Sequence, residues 1–82
     1  MHVTVKLFAA LRDRAGTGHL DLDVPEGADA AAVMAAAGEA TGTTDVLARL
    51  PVALAGNRAY ADPSAVVRDG DEVALIPPVS GG

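Results

Sequence analysis

The chain has no cysteine, no tryptophan and a single lysine, Lys6, and its only aromatic residues are Phe8 and Tyr60. Without cysteine there is no disulfide to staple the fold and no thiol nucleophile. With so few aromatics the core must be thin and built from aliphatic side chains, many of them alanine, although 50% of residues are hydrophobic. Basic residues are scarce and scattered: six Lys and Arg face eleven Asp and Glu, for a net charge of −5. No Lys/Arg cluster offsets that charge, so a nucleic-acid backbone is repelled and no nucleic-acid partner is expected. An acidic body suits a protein partner with a basic surface. No run approaches the roughly 20 apolar residues needed to span a bilayer, so no membrane association is expected. The N-terminus shows neither a basic segment followed by an apolar one nor a cleavage site, so a cytoplasmic location is the default expectation.

What the 82 residues do contain is room for one small domain. Val3, Val5 and Leu7 alternate with Thr4 and Lys6, the period-two pattern of a half-buried strand. Ala9 to Ala15 tolerates a helix, and Gly16-Thr17-Gly18 reads as a turn. Leu20, Leu22 and Val24 alternate with His19, Asp21 and Asp23, which predicts a second strand and, with the first, an antiparallel hairpin. Asp29 is a good helix N-cap. It opens a predicted helix over Ala30 to Ala40, with Val33, Met34 and Ala37 as the buried stripe. Gly38 weakens that helix by about 1 kcal/mol relative to alanine, and Gly42 is a stop signal. A short helical turn is predicted over Asp45 to Leu50, and a strand over Val52 to Ala55. Gly56-Asn57 reads as a turn, followed by an edge strand over Arg58 to Ala61. Asp62-Pro63 and Arg68-Asp69-Gly70-Asp71 are further turns. Val73 to Ile76 is the last strand, ended by Pro77-Pro78. This order predicts an α+β domain of the ubiquitin-like (β-grasp) kind, a mixed sheet of four or five strands with one main helix across it. The folded body covers residues 1–76, and 77–82 form an extended, flexible Gly-Gly tail.

The tail Pro77-Pro78-Val79-Ser80-Gly81-Gly82 carries the chemistry. Glycine has no Cβ, so a Gly-Gly end threads a channel too narrow for other dipeptides. The two prolines favour an extended geometry that holds the tail away from the body. Six residues at about 3.3 Å each reach on the order of 20 Å, enough to enter another protein's active site. A carboxylate is a poor electrophile and needs activation, usually as an acyl-adenylate made from ATP. A sulfur nucleophile then displaces AMP and leaves a thiocarboxylate. An internal thiol would waste that activated end, so the absence of cysteine fits. With glycine at about 7% of residues, about 0.5% of chains end in Gly-Gly by chance. An inert end therefore stays open on residue chemistry alone.

Other constellations carry less. Asp69, Asp71 and Glu72 lack the ligand spacing of a calcium loop, and His19, Asp21 and Asp23 read as a wet strand face. No metal site is expected. His2 has no visible partner, and no Ser/His/Asp order stands out. Gly16-Thr17-Gly18 lacks the lysine of a phosphate loop. Phe8 stands in opposite phase to Val3, Val5 and Leu7, so core and interface roles both stay open for it.

The last fourteen residues, DGDEVALIPPVSGG (Asp69 to Gly82), closely resemble the C-terminal signature of the MoaD/ThiS sulfur carriers, and within that family the small subunits of molybdopterin synthases. FAALRDRAG (Phe8 to Gly16) is similar to the family's FAxLRExxG stretch, and Asn57 matches the asparagine after its third strand. Two departures stand out: Gly56 replaces a bulkier apolar residue, and the helix is poor in leucine. The resemblance implies a β-grasp fold and a carrier with no bound cofactor. ATP is used by an adenylating and sulfurating enzyme that converts Gly82 to a thiocarboxylate. The large synthase subunit then takes the sulfur to a pterin precursor, in an expected heterotetramer where catalytic side chains lie on the large subunit. It further implies that Gly81 is the slim threading residue, and that Pro77, Pro78, Val79 and Ser80 are tail contacts. Phe8 and Arg12 match positions near the partner-binding face. Carriers for thiamine thiazole, cysteine or tRNA thiolation, and a ubiquitin-like protein modifier, are the alternatives.

Overall fold

The computed structural model describes residues 1–49, 53–56, 59–60 and 62–77. Asn57 and the tail residues Pro78, Val79, Ser80, Gly81 and Gly82 lie outside the described residues. The elements run β1 (His2–Leu7), α1 (Ala9–Ala15), β2 (His19–Asp23), α2 (Ala30–Thr41), α3 (Thr44–Arg49), β3 (Ala53–Gly56), β4 (Ala59–Tyr60) and β5 (Glu72–Ile76). The five strands form one mixed sheet in the order β2-β1-β5-β3-β4. β1 pairs antiparallel with β2 and parallel with β5, with Leu7 opposite Leu75. β3 pairs antiparallel with both β5 and β4. This is the expected α+β, ubiquitin-like architecture. Gly56, expected to turn the chain, instead closes β3 opposite Val73 and Ala59.

The alternating pattern does what period two requires. Val3, Val5, Leu7, Val73 and Leu75 point to one face and are buried, where they join Leu11 of α1, Val33 and Ala37 of α2, and Val46 of α3. All three helices therefore sit on one face of the sheet, and the other face is open. That open face carries His2, Thr4 and Lys6 from β1, His19, Asp21 and Asp23 from β2, and Glu72, Ala74 and Ile76 from β5.

α2 is bounded as its sequence dictates. The Asp29 carboxylate accepts from the Ala32 amide at 2.8 Å, and Gly42 closes the helix at φ 72, in the left-handed region that favours glycine. Met34 is half-buried, and Ala30 and Gly38 take places in the interior beside Val33 and Ala37. Gly38 looked like a weakness and sits where α3 packs against α2. A Cβ there would come within 2.8 Å of Leu47 Cδ1 and 3.1 Å of Thr44 Oγ1, so the missing methyl lets α3 lie close.

Candidate functional site

Because β5 runs parallel to β1, both strands finish at the same end of the sheet. One residue beyond the paired Leu7 and Leu75 stand Phe8 and Ile76, both on the open face. Phe8 is 43% exposed and Ile76 half-buried. Phe8 and Val66 are the only large hydrophobic side chains left exposed among the described residues. The chain thus leaves the sheet toward its C-terminus beside an uncovered aromatic ring. We refer to this as the exit end. Of the two roles left open for Phe8, the core role is excluded.

Arg12 stands at the same end. The turn after α1 returns there, since the Leu7 amide donates to the Gly18 carbonyl at 2.9 Å. The Arg12 side chain lies along that turn: a Cβ on Gly18 would sit 3.5 Å from its Nε. Arg12, Asp13, Gly16, Thr17 and Gly18 line an open depression of about 400 Å³. Arg14, by contrast, reaches Asp45 of α3 at 3.3 Å. Among the described residues Arg12 makes no ion pair, so its charge is presented outward.

The backbone between Phe8 and Arg12 carries a feature with no signal in the sequence. Ala9 has φ 50, the one positive φ outside glycine among the described residues. For an L-residue with a Cβ this region costs roughly 1–2 kcal/mol. It persists because its neighbours leave the chain no slack. Leu7 and Leu11 are both buried, 2% and 0% exposed. The strand must therefore turn into the helix across Phe8 and Ala9, with the Phe8 carbonyl accepting from the Leu11 and Arg12 amides.

Of the tail residues singled out from sequence, only Pro77 is described. It is buried, continuing the inward parity of Val73 and Leu75, rather than projecting from the body. Ile76 was missed, although it stands to Leu75 as Phe8 stands to Leu7.

The three carboxylates weighed as a calcium loop are engaged structurally. Asp69 accepts the His2 amide at 2.7 Å, Asp71 accepts the Arg68 amide at 2.8 Å, and Glu72 pairs with Lys6 at 3.5 Å. His2, expected to have no partner, lies 3.5 Å from Asp21 and 4.0 Å from Asp23. Among the described residues no grouping of three or more His, Asp or Glu could hold a metal. No helix of the described residues is long and apolar enough to cross a membrane.

Comparison with known proteins agrees with this fold. A curated relative, the molybdopterin synthase sulfur carrier subunit of Arabidopsis thaliana, is 34% identical over 90 residues, covering 100% of this chain and 84% of that protein. Among solved structures, the small archaeal modifier protein SAMP1 of Haloferax volcanii superposes with a TM-score of 0.89 at 28% identity, both chains covered completely. A complex of subunits 1 and 2 of the molybdopterin-converting factor from Helicobacter pylori contains a chain matching at TM-score 0.70 and 26% identity, again with both chains covered completely. The ThiS family model matches residues 5–82. The chain is a member of the ThiS family.

Proposed function

We propose that this chain is a sulfur carrier that serves as the small subunit of a molybdopterin synthase, with the carboxylate of Gly82 as its working group. The observation that carries the reading is the parallel pairing of β1 with β5, which brings Pro77, the last described residue, to the end of the sheet where Phe8 is exposed and Ile76 half-buried. A partner that covers this apolar end also receives whatever follows Pro77. The Arabidopsis relative and the Helicobacter complex support that choice of partner.

The body acts as a handle for two enzymes. An activating enzyme joins the Gly82 carboxylate to AMP from ATP, releasing pyrophosphate. A persulfide sulfur displaces AMP, and a thiol opens the resulting acyl disulfide to leave the thiocarboxylate. The large synthase subunit grips Phe8 and Ile76, with Arg12 facing an acidic counterpart. It draws Pro78, Val79, Ser80, Gly81 and Gly82 into its pocket, where the sulfur passes to the pterin precursor, cyclic pyranopterin monophosphate, to build the dithiolene. Glycines at 81 and 82 suit a narrow channel because neither carries a Cβ. In this cycle the chain is a co-substrate, and the catalytic side chains belong to its partners. It binds no cofactor of its own.

The test is intact mass after incubation with ATP, the activating enzyme and a sulfur donor. Replacement of one oxygen by sulfur, confined to the C-terminal peptide, is the expected result. An unchanged mass with active enzymes refutes the carrier reading. The likeness to a small archaeal modifier protein favours a second reading, in which the same activated end is joined to lysines of other proteins. Isopeptide-linked adducts ending in Gly82, formed in cells without thiocarboxylate, would select it.

A further inference from the structure

We infer that Lys6 is an acylation site, joined through its side-chain amine to the activated Gly82 of a second copy of this chain; the inference rests on the adenylation step proposed above. An activated carboxyl reacts with whatever nucleophile reaches it, and this chain offers few that form a lasting bond. It has no thiol, and Lys6 is its single lysine. The other amine is that of Met1, at the far end of β1. It is part-buried and donates to the Val24 carbonyl at 2.8 Å, so folding withholds it. Lys6 is placed differently. Its side chain stands on the open face of the sheet, 48% exposed, with the ammonium 3.5 Å from a Glu72 carboxylate that is itself 44% exposed. An ion pair this wet is weak, so it steadies the amine without burying it. The residue opposite Lys6 on β5 is Ala74, whose methyl takes up little of the space beside the amine. Glu72 lies two residues before Ala74, so the pair draws the amine toward the start of β5. That is away from the end where the chain's own C-terminus leaves, which favours a donor on a second copy. In the step itself the Lys6 ammonium loses one proton to water, and its nitrogen bonds to the Gly82 carbonyl carbon. The bond from that carbon to the AMP oxygen breaks, AMP takes the electron pair, and the nitrogen yields a second proton to leave an amide. The sulfur donor and Lys6 therefore compete for one adenylate.

The test incubates the chain with ATP and a purified activating enzyme, without a sulfur donor, and follows pyrophosphate release together with intact mass. The expected product has twice the mass of the chain less one water. Trypsin does not cut after an acylated lysine, so its digest should contain residues 1–12 branched at Lys6 to residues 69–82 through Gly82. Lys6→Arg should give no joined product although pyrophosphate is released, and a sulfur donor should suppress the product from the unaltered chain. A branch at Met1, a product one water lighter but not doubled, or pyrophosphate release with no joined chain overturns the inference while leaving the carrier reading in place. No pyrophosphate, with an enzyme active on its own carrier, refutes the adenylation step itself, and the inference falls with it.

Discussion

At the end of the sheet where β1 begins, the chain answers its own polar groups. The Met1 amine donates to the Val24 carbonyl at 2.8 Å and the His2 amide to Asp69 at 2.7 Å. The Gly70 amide returns to the His2 carbonyl at 2.7 Å, and the Thr4 amide reaches the Asp71 carbonyl at 3.0 Å. At the opposite end, where β1 and β5 finish, the reverse holds. An aromatic ring is 43% exposed, an arginine is unpaired among the described residues, and an alanine is held at φ 50. A fold this small has few apolar side chains to spare, so leaving Phe8 uncovered gives up stabilisation of about 25 cal/mol for each Å² left in water. On the function proposed above, one end serves the fold and the other serves a partner.

Changes at the exit end should therefore alter transfer and association while sparing stability, and changes at the closed end should do the opposite. The largest effect is expected from removing Gly82 or replacing Gly81 with tryptophan. Sulfur transfer should fall to background in a single-turnover assay, while the thermal midpoint stays where it is. Next, Phe8→Ala should weaken association with the large subunit roughly 10- to 100-fold, as for a hot-spot aromatic, with little change in midpoint. Ile76→Asp should act in the same direction.

How far these sites could be read from sequence follows from what each depends on. Period-two alternation located β1 and β2, the proline pair marked the end of β5, and the Asp29 cap and the Gly42 stop marked the bounds of α2, because those signals are local. The placement of Phe8 and Ile76 at one end of the sheet depends on β1 and β5 running parallel with Leu7 opposite Leu75, a non-local fact that alternation cannot supply. Gly56 read as a turn because glycine permits one, yet the ladders to Val73 and Ala59 hold it extended. Pro77 read as tail because proline ends ladders, although its parity with Leu75 places it on the core side. Ala9 gave no sign at all. An alanine carries no preference for positive φ, and its strain arises only from the buried leucines on either side.

Two smaller effects sharpen the contrast. At the closed end, Asp69→Ala removes the acceptor of the His2 amide and should lower stability by about 1 kcal/mol in chemical denaturation, leaving association unchanged. The smallest effect concerns Asp62, away from both ends. Hydrogen bonds from the Ser64 hydroxyl and then its amide hold the Asp62 carboxyl below the usual carboxylate range. A depressed carboxyl stabilises the fold above its unfolded pKa and loses that contribution as pH falls through the folded value. An Asp62→Asn variant, which lacks the ionised carboxylate, should therefore show a slightly flatter stability profile, lying a little below the parent at neutral pH and converging with it below about pH 4.

The most direct test of the two-ended account is an NMR titration of the labelled chain with the unlabelled large subunit, following backbone amides at both ends in one experiment. The account predicts that Lys6, Phe8, Ala9, Arg12, Ala74 and Ile76 shift or broaden, while His2, Val24, Asp69 and Asp71 stay in place. Perturbation centred on the closed end, with Phe8 and Ile76 unmoved, would contradict it.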